Sequence, residues 1–193
     1  MKYASSLMLV VGGFCLAGCT SGPRVALTEP VGPAPGATAI GSSRSGQGSL
    51  VVYSARVPAV VDLNRDQWLE NINPNRADLR FEPAHTGYTI YTKDGRLVAT
   101  VANARDDEEG TPAVVPLPAG AYRVSAQAIA CGGTREYVSL PVVIKPGETT
   151  VAHLGGTWVP QGYPADELVT LPCGRPVGWR AASGEFAGLD TGR

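Results

Sequence analysis

The stretch "LPAGAYRVSAQAIA", residues 117–130, carries the clearest structural signal in this sequence. After a Pro-Ala-Gly turn, apolar and polar residues alternate from position 122 to position 128. A period of two places one face of a β-strand in the core and the other face in water. The predicted buried face consists of Tyr122, Val124, Ala126 and Ala128. This strand is the starting point for an all-β prediction.

Similar signals lie on both sides of this strand. The segment "GSLVVYSA" (48–55) is β-branched and follows a glycine turn, and "YTIYTKDGRLVAT" (88–100) predicts two strands joined at an Asp-Gly turn. Downstream, "REYVSLPVVIK" (135–145) and "TTVAHL" (149–154) are separated by a Pro-Gly-Glu turn. Together they predict a single, seven-stranded antiparallel β-sandwich, since about seven strands recur at a spacing of about eight to twelve residues.

The N-terminus has the organisation of a secretion signal. Lys2 precedes an apolar run of roughly ten residues, which is shorter than the roughly 20 residues of a membrane-spanning helix. The run ends in Leu-Ala-Gly-Cys19, which resembles the lipobox of bacterial lipoproteins. The resemblance implies cleavage before Cys19 and its acylation, with palmitate among the acyl chains; ordinary secretion with cleavage nearby is the alternative. By that family's sorting tendency, Thr20 implies the outer membrane.

The predicted organisation has five parts. Residues 20–48 are rich in Pro, Gly, Ser and Ala without sustained periodicity, which predicts a disordered N-terminal tether. Residues 61–84 predict a long crossing loop within the sandwich. The parts are 1–18, lipoprotein signal peptide; 19–47, acylated cysteine and flexible linker; 48–156, β-sandwich; 157–180, C-terminal extension packed on it; and 181–193, disordered tail.

The cysteines differ in their predicted fates. Cys15 leaves with the signal peptide, and Cys19 carries the lipid. Cys131 and Cys173 remain in the body of the protein, where export to an oxidising compartment permits a disulfide. Such a bond would stabilise the fold by roughly 4 kcal/mol on the chain-entropy account. Two free buried thiols are the alternative.

Four segments in order resemble one family: "GSLVVYSA", "HTGYTIYTKDGRLV", "LPAGAYRVSAQA" and "LPVVIKPGETTVAHL". They are similar to the carboxypeptidase regulatory-like domain, an Ig-like or prealbumin-like (transthyretin-like) β-sandwich that occurs in bacterial surface proteins. The resemblance covers residues 48–156 and implies a binding, spacer or assembly module without chemistry of its own. It implies no ligand and no cofactor.

Three aromatic residues are candidates for ligand binding: Trp158, Tyr163 and Trp179, in or near a loop bounded by Pro and Gly. Packing as loop anchors is the alternative role. His85 and His153 are expected in structural or solvent-facing positions rather than in a metal or catalytic site. No nucleophile elbow, zinc-protease helix or phosphate loop is present, so the sequence predicts no catalytic residues, no metal and no enzyme.

The charge balance restricts the partners. Sixteen basic residues face 17 acidic ones over the 193 residues, and no basic patch suggests nucleic acid. The sequence therefore predicts a non-enzymatic lipoprotein of the bacterial cell envelope, held to the membrane by its N-terminal lipid. Its β-sandwich is expected to serve as an interaction or structural module for an envelope protein. The alternative is a carbohydrate- or peptidoglycan-binding module that uses exposed aromatic residues.

Overall fold

The structure is a computed structural model. It describes residues 24–38, 45–61, 80–103, 111–156, 158–162 and 164–182. For residue 24 and for residues 57–61 and 80–83 it describes the backbone. The predicted lipidation site Cys19 and the candidate Tyr163 lie outside these residues, as do most of the predicted crossing loop and all but the first two residues of the predicted tail.

Thirteen strands and one 3₁₀ turn make up the secondary structure of the described residues. The 3₁₀ turn is Ala165–Glu167. The strands are β1 (Arg24–Ala26), β2 (Val31–Thr38), β3 (Gln47–Tyr53), β4 (Arg56–Val61), β5 (Arg80–His85), β6 (Tyr88–Thr92), β7 (Leu97–Val101), β8 (Val114–Pro118), β9 (Gly120–Ile129), β10 (Arg135–Ile144), β11 (Glu148–His153), β12 (Leu168–Thr170) and β13 (Pro176–Arg180).

The predicted all-β class is confirmed, but the strand count and the pairing differ from the prediction. Eleven of the described strands join into one curled sheet, with β7-β6-β9-β10-β2-β11-β3-β8 as its main path. Strands β1, β12 and β13 attach beside this path, and β4 and β5 form a separate pair. The sheet is mixed rather than antiparallel, because β1 and β2 run parallel to β10 and β11 runs parallel to β3.

The core forms where the two arms of the curled sheet face each other across β2. The alternation predicted for β9 is confirmed at Val124, Ala126 and Ala128, which are fully buried, and at Arg123, which is exposed. Tyr122, the fourth residue of the predicted buried face, is only half-buried. These side chains pack in one cluster with residues of the other arm, such as Leu50 and Ala152. Burial of each larger side chain stabilises the fold by about 1.5–3 kcal/mol.

The predicted N-terminal tether is wrong for residues 24–38, which form β1 and β2. Strand β1 pairs with β10 in the register Arg24↔Tyr137, and β2 lies between β10 and β11. Val31 is completely buried and belongs to the core. The prolines and glycines that predicted a linker are tolerated because β2 makes few regular ladder contacts and its pairing with β11 is irregular.

Two later segments also differ from a minimal sandwich. The predicted crossing loop is an antiparallel pair at its described ends, where β4 pairs with β5 from Arg56↔His85 to Val61↔Arg80. In the C-terminal extension, β12 and β13 form a hairpin, and β13 continues the main sheet through its pairing with β2. The extension is thus hydrogen-bonded into the sheet instead of only packing on its surface.

Backbone hydrogen bonds define two opposite ends of the sheet. At the first, which we call the Tyr53 end, Leu154 N donates to Tyr53 O and Ile129 N donates to Leu154 O. Ala55 N donates there to Gln127 O, and Gln127 pairs with Tyr137, the partner of Arg24. At the second, the Gly46 end, Ala119 N donates to Gly46 O. Strand β1 therefore begins at the Tyr53 end.

Candidate functional site

Aromatic rings meet at the Tyr53 end because two parallel strands finish side by side. Tyr53 and His153 are the last residues of β3 and β11, and they are direct partners in the ladder. Partners in a sheet project from the same face, so their rings lie against each other. The ring centroids are 4.9 Å apart and the planes differ by 10°.

A tight turn after β11 adds a third ring. A Cβ on Gly155 would lie 3.1 Å from Ser54 O, and Gly156 has a φ of 96°, so the chain bends closely over the end of β3. This bend lays Trp158 on His153, with centroids 4.2 Å apart and planes 8° apart. Tyr53 and Trp158 thereby cover opposite faces of the same imidazole, since two parallel rings cannot occupy one face.

Two more rings extend this cluster. Trp179 of β13 meets Trp158 edge to face at 6.0 Å, and His85 meets Tyr53 edge to face at 5.6 Å. Edge-to-face and offset contacts of this kind add about 0.5–1.5 kcal/mol to the effect of burial. We call Tyr53, His85, His153, Trp158 and Trp179 the ring cluster. The structure thus brings together two of the predicted aromatic candidates, Trp158 and Trp179, and both are half-buried.

His85 is held by both ring nitrogens. Its Nδ1 lies 2.8 Å from Ser54 O, and Arg56 Nε donates to its Nε2 over 3.4 Å. A carbonyl only accepts, so Nδ1 carries the proton and Nε2 is the acceptor. Burial lowers the pKa of His85 and the Arg56 charge lowers it further, although the bond to Ser54 acts in the opposite direction. His85 is therefore a neutral side chain engaged in internal bonds.

His153 has a different environment from His85. Its ring is covered on both faces, and burial lowers the His153 pKa from 6.5 to about 4. The imidazole is consequently neutral at pH 7. Its position between Tyr53 and Trp158 suits it to packing.

Asn103 connects three segments beneath the ring cluster. Its Nδ2 donates to Val52 O and to Ser54 Oγ, each over 2.9 Å, and its Oδ1 accepts from Ala113 N over 3.1 Å. Ser54 Oγ donates in turn to Thr86 O. Asn103 is buried and has a φ of 58°. Sequence reasoning missed this residue, although an asparagine shortly after a strand, here two positions after the end of β7, indicates a left-handed turn position.

Cys131 and Cys173 lie at disulfide distance, also at this end of the sheet. Their Cα atoms are 6.1 Å apart, and the pair connects the turn after β9 to the turn between β12 and β13. Arg175, in the second turn, has buried Nε and Nη2 atoms without a hydrogen-bond partner in the described structure. Burial lowers the Arg175 pKa.

Among the described side chains, no three or more His, Cys, Asp or Glu residues are grouped so as to bind a metal ion. Within the same part of the chain, no helix has the length and apolar character needed to cross a membrane. Four consecutive acidic residues, at 106–109, lie outside the described residues.

The arrangement limits what the ring cluster can do chemically. The imidazole faces of His153 and the nitrogens of His85 are occupied by neighbours, and Trp158 has one face on His153. Four members of the cluster are half-buried and reach solvent in part: Tyr53, His153, Trp158 and Trp179. Val159, next to Trp158, is 75% exposed. No protein family, curated protein or solved structure matches this chain.

Proposed function

We propose that this protein is an acylated lipoprotein of the bacterial cell envelope whose β-domain is a non-enzymatic module for interaction with an envelope protein. The main support for this proposal is that the side chains of the ring cluster contact one another and neighbouring residues of the protein. Both nitrogens of His85 and both faces of His153 serve to hold the end of the sheet together. The nitrogens of His85 are thus occupied by neighbours, and the His153 ring is packed between Tyr53 and Trp158.

The transthyretin-like assignment forms part of this proposal. The resembling segments supply β3, β6–β7, the β8–β9 turn and β10–β11, in that order. Tyr122 Oη donates to Pro118 O over 3.0 Å, which ties the turn to the strand as tyrosine corners do in other sandwiches. We infer a transthyretin-like module elaborated by β1, β2, the β4–β5 pair and the C-terminal hairpin.

The glycan-binding alternative has less support from the ring geometry. Stacking on a sugar requires an open and accessible ring face, whereas Trp158 lies against His153 and contacts Trp179. Peptidoglycan pull-down with the soluble fragment 20–193 tests this alternative. Retention that is lost in both Trp158→Ala and Trp179→Ala, with the fold intact by circular dichroism, would favour glycan binding over a protein partner.

The main proposal is tested in two parts. Intact mass of the protein purified from membranes should show acylation of Cys19, and an unmodified Cys19 would contradict the proposed lipid anchor.

For the interaction module, a photo-reactive amino acid at exposed Arg123 should form a discrete protein adduct in intact cells. The matched control carries the same group at buried Val124, where no adduct is expected. Adducts with lipid alone would argue against a dedicated protein partner.

A further inference from the structure

The covalent distance between the predicted anchor and the folded domain is short. Strand β1 begins at Arg24, five positions after Cys19. Fully extended, five residues span at most about 18 Å. A flexible linker to residue 47 would have separated the domain from the membrane by roughly 30 Å. Because residues 24–38 belong to the sheet, the domain has little freedom to leave the surface that holds Cys19.

The end at which β1 begins is the Tyr53 end. Arg24 is paired with Tyr137, and Tyr137 is 46% exposed. Gln127 Nε2 donates to Tyr137 Oη over 3.0 Å, so the phenol ring is held at the surface. Arg135, two positions earlier, is exposed and its Nη2 donates to Arg56 O over 3.3 Å.

Several exposed residues of this end have the chemistry of the membrane–water interface. Tyrosine and tryptophan are enriched at lipid headgroups, where an apolar ring and a polar tip are both accommodated. Tyr137 and Trp158 have this character, and exposed Val159 adds apolar surface next to Trp158. Arg56 and Arg135 are exposed, and their positively charged guanidinium groups can bind lipid phosphate groups. The short connection and these side chains favour contact with headgroups, whereas net charge does not, because four acids follow Asn103 at 106–109.

We propose that the Tyr53 end of the domain rests on the lipid headgroup layer, with Tyr137, Arg135 and the Trp158–Val159 loop as its contact surface. This inference relies on the proposed acylation of Cys19. It orients the domain: the Gly46 end lies furthest from the membrane, because the ten residues of β9 separate the two ends by roughly 33 Å. The sheet faces between the ends are then the surface available to a protein partner.

Depth-dependent fluorescence quenching tests this orientation. The acylated protein is placed in phosphatidylethanolamine–phosphatidylglycerol vesicles that contain a lipid with a quencher near the headgroup. A fluorophore is attached through Tyr137→Cys or Val159→Cys, with Ala119→Cys at the Gly46 end as the matched control. The labels at 137 and 159 should lose most of their fluorescence, and the label at 119 should lose little.

A variant with a longer tether between Cys19 and β1 provides the second part of this experiment. Inserting 20 Gly and Ser residues after Gly22 lengthens the connection to roughly 25–30 Å on average. The quenching at positions 137 and 159 should then decrease towards that at position 119, while the acylation measured by intact mass is unchanged.

The outcomes separate the two proposals. Absence of acylation at Cys19 would contradict the lipid anchor in the proposed function, and it would contradict the proposed orientation as well. Acylation with equal quenching at all three positions, or stronger quenching at 119, would overturn the orientation alone. Quenching that does not respond to the longer tether would show that the contact surface does not depend on the short connection, which also contradicts the inference.

Discussion

His153 lies face to face with Trp158, with ring centroids 4.2 Å apart and planes 8° apart. Tyr53 covers the other face of the imidazole at 4.9 Å. A histidine enclosed in this way is a packing residue at neutral pH. Trp158 also contacts Trp179, so the stack connects three segments that are distant in sequence, with Tyr53 from β3, His153 from β11 and Trp179 from β13.

The buried imidazole predicts a loss of stability in acid. Burial lowers the His153 pKa from 6.5 to about 4, so between these pH values the unfolded chain binds a proton that the folded chain does not. The free energy of unfolding should fall as the pH drops from 6.5 to 4, by up to about 3 kcal/mol from this residue. Contact of the protonated ring with Trp158 and Tyr53 reduces that figure. His85, whose pKa is also lowered, acts in the same direction.

Denaturant unfolding of fragment 20–193 at pH 7, 5.5 and 4 measures this effect. The variant His153→Phe retains a ring for packing but has no titrating group, so its unfolding free energy should depend less on pH over the same range. An identical pH dependence in both proteins would exclude His153 as its source.

Asn103 should be among the most sensitive polar positions. Replacement by alanine removes the donors to Val52 O and Ser54 Oγ and the acceptor for Ala113 N, and it retains a side chain at a φ of 58°. We expect a loss of about 2–4 kcal/mol in unfolding free energy. Asn103→Gly should lose about 1 kcal/mol less, because glycine accepts positive φ.

The control for Asn103 is Gln127→Ala. Gln127 donates a single exposed side-chain bond to Tyr137 Oη, so the expected change is within about 0.5 kcal/mol. Comparable losses at positions 103 and 127 in urea titrations would contradict the role given to the buried amide.

The bond between Cys131 and Cys173 should stabilise the C-terminal hairpin and the whole sheet. It closes a loop with a sequence separation of 42, for which the chain-entropy account gives about 4 kcal/mol. Reductant should therefore lower the melting temperature of fragment 20–193, but not that of the Cys131→Ser, Cys173→Ser double variant. Alkylation of both thiols without prior reduction would show that the bond does not form.

Removing β1 and β2 should abolish folding. A fragment that begins at residue 40 lacks the strand that lies between β10 and β11, and it lacks the buried side chains of Leu27 and Val31. Each of those side chains contributes about 1.5–3 kcal/mol by burial. Thermal unfolding by circular dichroism should be cooperative for 20–193 and absent for 40–193. Equal melting temperatures of the two fragments would show that residues 24–38 are a linker and contribute nothing to the stability of the sheet.

Elements formed by neighbouring residues could be predicted from the sequence. The alternation in β9, the Asp-Gly turn between β6 and β7 and the Pro-Gly turn before β11 are local patterns, and local sterics and hydrophobicity decide them. Gly95 and Gly147 have φ values of 84° and 72°, as such turns require. The sequence identifies Trp158 and Trp179 as candidates, but nothing in their spacing indicates that His153 covers a face of Trp158.

Tertiary contacts decided the structural features that local patterns did not predict. Residues 24–38 contain the prolines and glycines of a linker, and they become strands because distant partners supply hydrogen bonds, as in the pairing of Arg24 with Tyr137. The same is true of His85 and Asn103, whose polar atoms meet partners on other segments. By itself, the sequence determined the all-β class and its local turns. Contacts between residues far apart in the chain determine the order of the strands in the sheet, the parallel strand pairs and the ring cluster. No local sequence pattern encodes these three features.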